Sequence, residues 1–214
     1  MKDIINLYNK LRDKLKNYNS KIMINHNEIT LECDLFSLKD ILLVLKTNNE
    51  FSFNQLVDLC GVDYLDYGKS DWNVRSATVC GFSRAVLEKK SKILDFNKNR
   101  FAVVYHLLSI EKNHRVRVKS FIDNEDLIVP SVYDIWEVAD WFEREAYDMY
   151  GILFDGHPDL RRILTDYGFM HYPLRKDFPI IGYSEVYYDD VLGKVIYEPV
   201  NIKSRITVPK VIKK

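Results

Sequence analysis

Residues 101–122 read FAVVYHLLSIEKNHRVRVKSFI, and the class of the whole chain follows from this stretch. Phe101 to Ile110 and Arg115 to Ile122 are rich in β-branched and aromatic residues. In Arg115-Val116-Arg117-Val118-Lys119 apolar and charged positions alternate strictly. A period of two buries one face of a strand and leaves the other wet. Val74 to Phe82 predicts a further strand, with the charged stretch Glu88 to Arg100 as the loop before Phe101.

Upstream the period is helical. Ile4, Leu7, Tyr8, Leu11, Leu15 and Tyr18 mark residues 3–18 as an amphipathic helix. Ile22-Met23-Ile24 and Ile29-Thr30-Leu31 flank the polar Asn25 to Glu28 and predict a β-hairpin. Ser37 is the expected N-cap of a helix from Leu38 to Lys46, ending at Thr47-Asn48-Asn49. Phe53 to Cys60 reads as a helical turn or two, closed by Gly61 and followed by Val62-Asp63-Tyr64. Helices and hairpin-linked strands in this order predict an α+β domain, 1–130, with a mixed or mainly antiparallel sheet.

Pro130 closes the sheet region, and Ser131 is expected to open a long helix over 131–151, with Asp134 as a capping-box partner. Ile135, Ala139, Phe142, Ala146 and Met149 form one apolar stripe, and Asp140–Arg144 and Arg144–Asp148 are i,i+4 pairs. Gly151 is the C-cap residue. Pro158, Pro173, Pro179, Pro199 and Pro209 then punctuate the chain, with Gly156, Gly168, Gly182 and Gly193 adding turns. The expectation is a loop segment at a subunit interface, 152–182, and an extended tail, 183–214. Tyr167, Phe169, Tyr172, Phe178, Tyr183, Tyr187, Tyr188 and Tyr197 load it with aromatics, unlike a disordered linker. Order is expected to come from lying on another protein. About 30 extended residues reach roughly 100 Å at ~3.3 Å per residue, and would bury more than a standard interface of about 1,600 Å².

The 214 residues carry 31 Lys+Arg against 31 Asp+Glu, which argues against nucleic-acid or anionic-lipid binding through net charge. Apolar residues make up 47% and charged ones 29%, so the chain is globular rather than disordered. Its longest aliphatic run, Ile41 to Leu45, falls far short of the roughly 20 residues that span a bilayer. A soluble chain is expected. Cys33, Cys60 and Cys80 include no C-x-x-C pair and lack the four thiolates of a typical iron–sulfur cluster or Cys₄ zinc site, so reduced buried thiols are expected. Asp3, Asp13 and the single Arg12 in the opening residues match neither a secretory nor an Arg-rich transit signal. Abundant Ile, Asn, Lys, Tyr and Phe suggest an AT-rich genome, bacterial or organellar. Charge is blocked: ten basic and three acidic residues from Arg84 to Lys119, net +7, then eleven acidic and one basic from Asp123 to Asp159, net −10. The final twelve residues hold five Lys/Arg and no acid. Such blocks register docking on complementary partners.

Glu143, Glu145, Asp148, Asp155, His157 and Asp159 suggest an acid/base site. However, Glu143 and Glu145 are i,i+2 on a helix and point to different sides. No two histidines fall at i,i+4 as a helical zinc pair would, so His106, His114, His157 and His171 read as separate, satisfied residues. P-loop, G-x-G-x-x-G and G-x-S-x-G patterns are absent. The basic block has no aromatics arranged to stack RNA bases.

From Trp141 the chain runs WFEREAYDMYGILFDGHPDLRRILTDYGF, and from Pro173 PLRKDFP. This stretch resembles the subunit-C family of proton-pumping NADH:quinone oxidoreductase, respiratory complex I. In that family a helix with E-R-E-x-x-D leads into G-I-x-F-x-G-H-P-D-L-R-R-I-L and then G-H-P-L-R-K-D-F-P-x-x-G-Y. Glu143, Arg144, Glu145, Asp148, His157, Asp159, Arg161, Arg162 and Ile163 match in register. Leu174, Arg175, Lys176, Asp177, Phe178, Pro179, Gly182 and Tyr183 continue the match. Val62-Asp63-Tyr64, Tyr105-His106-Leu107-Leu108-Ser109, Glu185-Val186 and Glu198-Pro199-Val200 extend it over residues 50 to 200. His171-Tyr172 replaces the usual Gly-His.

The resemblance implies a non-catalytic core subunit of the peripheral arm. Composition and the lack of a presequence favour the mitochondrial form. The chain would scaffold the quinone module with that module's large subunit, of the subunit-D family, and with other peripheral-arm subunits in a hetero-oligomer. No catalytic, cofactor or metal residue is implied in this chain, while the complex uses FMN, iron–sulfur clusters and ubiquinone. Arg144, Arg161, Arg162 and Arg175 would be forked anchors for carboxylates, with Glu143 and Glu145 as partners. The expected location is the matrix side of the mitochondrial inner membrane, or the cytoplasmic face of a bacterial plasma membrane, with membrane association only through the complex. The alternatives are the equivalent subunit of a membrane-bound hydrogenase-type complex and a free-standing acid/base enzyme built on Glu143, Glu145 and His157.

Overall fold

The fold is that of a computed structural model, which describes residues 2–65, 67, 72–74, 86–88, 99–123 and 126–202. Along the chain run α1 (Lys2–Lys14), β1 (Ser20–Asn25), β2 (Glu28–Cys33), α2 (Leu35–Thr47), β3 (Gln55–Asp63), β4 (Trp72–Val74) and β5 (Val86–Glu88). β6 (Phe101–Ser109), β7 (His114–Ile122), β8 (Ile128–Pro130), α3 (Ala139–Tyr150), β9 (Leu153–Asp155), β10 (Ser184–Asp189) and β11 (Lys194–Pro199) follow. Cys80, the predicted strand beyond Val74 and most of the Glu88–Arg100 loop lie outside the described residues.

A five-stranded sheet of order β1-β2-β7-β6-β3 organises the first compact unit, Met1–Tyr64 with Lys98–Arg175. Only β2 and β7 pair parallel within it, so the sheet is mixed and the α+β expectation holds. The β1–β2 turn closes through His26 and Asn27, both at positive φ (53° and 62°), a twist suited to a two-residue hairpin. On β7 the predicted alternation is realised: Val116 and Val118 are buried in the core, while Arg117 and Lys119 face away and pair with Glu28 and Glu32 of β2.

The core lies between one sheet face and the helices. α1 supplies Leu7 and Leu11, the turn after it Leu15, and α2 supplies Leu38, Ile41, Leu42 and Leu45. Each fully buried aliphatic side chain contributes about 1.5–3 kcal/mol, so α2 is held by packing rather than by its caps. Its N-cap is Asp34, not Ser37; the Ser37 hydroxyl donates back to the Asp34 carbonyl at 3.2 Å.

Two expectations fail for local reasons. Phe53 to Cys60 is not helical: β3 spans Gln55–Asp63, and a register shift between Leu56 and Asp58 marks a bulge. The bulge turns both Leu56 and Leu59 into the core, and that three-residue spacing imitates a helix. The long helix does not begin at Ser131 either; residues 133–135 and 137–138 form turns and α3 starts at Ala139. Asp134 pairs with Lys39 at 2.9 Å instead of closing a capping box.

The second unit, Leu65–Asn97 with Lys176–Lys214, contains the antiparallel pairs β4–β5 and β10–β11. The 183–214 tail therefore includes a hairpin rather than being wholly extended. Among the described residues no helix is long and apolar enough to cross a membrane.

Candidate functional site

α3 packs on β3, where the approach is close: a Cβ on Gly61 would lie 2.6 Å from the Tyr150 ring. The helix ends at Gly151, whose φ of 76° is the left-handed conformation that glycine adopts without penalty. Its amide donates to the Tyr147 carbonyl at 2.8 Å. The next free carbonyls of the helix are taken by the following loop. Leu174 N–H donates to Met149 O at 3.2 Å and Arg175 Nε to Tyr150 O at 2.7 Å. A cation at this end also complements the helix dipole.

Asp148 is the centre of the arrangement. Its buried carboxylate accepts from the backbone N–H groups of Ile163 (3.1 Å), Leu164 (2.7 Å) and Thr165 (2.8 Å), from the Thr165 hydroxyl, and from Arg162 Nη1 (2.7 Å). Burial pushes this carboxyl up, but the Thr165, Leu164 and Arg162 donors outweigh it and hold it down at about 2. Arg162 also donates to the His171 carbonyl at 3.1 Å. The Tyr172 ring has two guanidinium groups within cation–π range, Arg175 at 4.3 Å and Arg162 at 5.3 Å from its centroid.

A second cluster lies on the same helix. Glu143 is fully buried and accepts from the Ser131 hydroxyl at 2.7 Å and Val132 N–H at 2.8 Å. Burial raises its pKa, against the lowering effect of those two bonds and of His157. The His157 side chain is completely shielded, with Nε2 3.2 Å from an Asp140 carboxylate oxygen and 3.9 Å from Glu143. Nδ1 accepts the Asp159 N–H at 3.1 Å, so Nε2 carries the proton directed at Asp140.

The predicted residues thus sort differently from expectation. Glu143 and Glu145 are not the partners of the arginines. Glu143 belongs to Ser131, Val132 and His157, and Glu145 is exposed. The i,i+4 pairs give way to longer-range contacts: Arg144 donates to the carbonyls of Arg161 (3.1 Å) and Arg162 (3.3 Å), Asp148 binds Arg162, and Asp140 faces His157. Arg161 and Asp159 form an exposed pair at 3.0 Å. Lys176 and Asp177 are exposed members of the second unit, where Phe178 and Tyr183 meet edge-on at 5.4 Å. Ser131, Asp140 and Thr165 have parts that the sequence did not signal, because each meets its partner across 12 to 17 residues of intervening chain.

The Glu143 and His157 side chains are shut away from solvent, and their contacts tie residues 131–132 and 157–159 to the helix. Among the described residues Cys33 is a buried free thiol, as expected, whereas the free thiol Cys60 is only half-buried. Burial first, then Asp34 and Glu32, pushes Cys33 up to about 12. Burial first, then Asp58 and Glu145, pushes Cys60 up to about 11.

The family described as the respiratory-chain NADH dehydrogenase 30 kDa subunit has a model that matches residues 31–184, the span holding β3, β6, β7, α3 and the loop. The chain belongs to this family. Relatives of this 30 kDa subunit family include the subunit-C protein of NADH-quinone oxidoreductase from Legionella pneumophila (strain Paris), 57% identical over 207 residues and covering 97% of this chain and 91% of the relative. The corresponding Coxiella burnetii (strain RSA 493 / Nine Mile phase I) protein is 46% identical over 208 residues, covering 97% of this chain and 92% of the relative. Among solved structures, a trypsin-resistant fragment of Nqo5 is similar with a TM-score of 0.52 and 28% identity, over 74% of this chain and 99% of the fragment.

Proposed function

We propose that this member of the 30 kDa subunit family is the subunit-C component of NADH-quinone oxidoreductase, a docking subunit of the peripheral arm of complex I that performs no redox step itself. The signature residues of α3 and 152–175 serve to fold that loop onto its helix. The second unit then supplies the contact with a neighbouring subunit, for which we propose the large subunit of the quinone module, of the subunit-D family.

The observation that carries this reading is the hairpin β10–β11. Val186, Tyr187, Tyr188, Val195 and Tyr197 are each 43–65% exposed, although their strands pair along their full length. A two-stranded hairpin alone is marginally stable in water, and clustered exposed apolar and aromatic groups mark an interaction surface. A partner's surface supplies the missing burial.

The three cysteines of the chain are too few for the four thiolates of a typical iron–sulfur cluster, which supports leaving FMN, clusters and quinone to other subunits. The relatives described above are bacterial, which supports the cytoplasmic face of a bacterial plasma membrane over the mitochondrial matrix.

Deletion of residues from Tyr183 onward tests the reading. The truncated chain is expected to keep the first unit folded by circular dichroism and to be lost from the full-size complex on a native gel. Its retention there would refute the docking role.

A further inference from the structure

The bulge in β3 places three potential metal ligands together on the sheet face opposite the core. Leu59 pairs with Tyr105 across β3 and β6, and both are buried in the core. Side chains alternate along each strand, so Asp58, Cys60 and His106 point to the opposite face. Asp58 and His106 are direct cross-strand partners, and Cys60 is two residues along from Asp58. One ligand atom from each of the three lies within 4.8 Å of the other two, and all three residues are half-buried.

Their neighbours make this more than a chance meeting of polar groups. Among the described residues, none of the three side chains takes part in a hydrogen bond or ion pair. Arg117, the partner of His106 on β7, is already committed to Glu28 at 2.5 Å and Thr30 at 3.3 Å. Its charge is therefore balanced before a cation arrives.

We propose that Asp58, Cys60 and His106 bind one divalent transition-metal ion of the zinc class. A thiolate, an imidazole and a carboxylate make a mixed S/N/O donor set that suits zinc over magnesium or calcium, with water in the fourth position of a tetrahedron. Bond lengths of about 2.0–2.3 Å set ligand–ligand separations near ~3.5 Å, so side-chain adjustments of about 1 Å close the site. On binding, the Cys60 S–H gives its proton to solvent, and the thiolate and the Asp58 carboxylate neutralise the ion. The site is independent of the docking role and involves no electron transfer.

Cobalt(II) added to the full-length, metal-stripped chain tests this. The expected result is one ion per chain, with thiolate-to-cobalt charge transfer and intense tetrahedral d–d bands. Cys60→Ser removes the sulfur band, and His106→Gln weakens binding by more than about 100-fold, since even changes behind the ligands cost about 10–100-fold. Cys33→Ser and Cys80→Ser keep the spectrum. A second measurement needs no variant: zinc at about 100 times its Kd lowers the alkylation rate of Cys60, followed by peptide mass spectrometry, about 100-fold. Alkylation indifferent to zinc, or a sulfur band that survives Cys60→Ser, would overturn the proposal.

Discussion

Arg162 reaches Asp148 at 2.7 Å across 14 residues of chain, and the carboxylate it meets is shielded completely from solvent. Three backbone amides and a hydroxyl converge on the same carboxylate, so one side chain on α3 fixes the path of residues 162–165. The loop is then continued by Arg175 on the last carbonyl of the helix. A segment with almost no regular structure is held by polar contacts where a strand or helix would hold itself.

Asp148→Asn is expected to destabilise the first unit by about 3 kcal/mol, the scale of breaking a buried, multiply bonded charge pair. The amide nitrogen must face donors, and Arg162 loses its counter-charge. Urea unfolding at neutral pH measures the loss, and trypsin should cleave faster after Arg161 and Arg162. A change under about 1 kcal/mol would mean that the loop is held by its aromatics instead.

Acid should release the same anchor. The folded-state pKa of Asp148 is about 2 against an ordinary 3.8, so its stabilisation is present above the ordinary value and is lost as pH falls from about 4 through 2. The difference corresponds to about 2 kcal/mol. Stability measured across this window should fall in the parent chain and lose this component in Asp148→Asn.

Glu143 has the opposite sign. Burial raises its pKa from 4.5, so the stability of its protonated form is present below that value and is lost as pH rises through the folded-state pKa. Glu143→Gln is neutral and keeps an acceptor for Val132 N–H; it should change stability by less than about 1 kcal/mol. Glu143→Ala strands the Ser131 hydroxyl and Val132 N–H without an acceptor and should cost about 2–3 kcal/mol. Equal losses in the two variants would argue that the carboxyl group itself, which both lack, is what the site requires.

Gly151→Ala should lower the melting temperature by about 5 °C or more. A Cβ there would meet Arg175 Nη2 at 2.6 Å and Tyr172 Cζ at 2.7 Å, in a backbone conformation with φ of 76°. Scanning calorimetry checks it. An unchanged melting temperature would show that the Tyr172–Arg175 stack yields at little cost.

Much of the fold is legible because its signals are local. The period-two pattern of 115–119 sets β7, the leucines of α1 and α2 set their buried faces, and Gly151 marks the end of α3. β3 reads wrongly as a helix because a bulge gives its core residues helical spacing, and no local pattern distinguishes the two. The start of α3 is misplaced because Ser131, a good cap by type, instead donates to Glu143 twelve residues ahead.

From the order of residues alone come the α+β class, most core strands and helices, and, through the run from Glu143 to Tyr183, membership of the 30 kDa subunit family. How the signature charges pair is settled only in the folded chain. Periodicity reports which face of an element is apolar, whereas a carboxylate takes whichever donors the folded backbone brings within about 3 Å. That is why Asp148 binds the 162–165 loop, Glu143 binds Ser131, and Asp58, Cys60 and His106 meet across two strands.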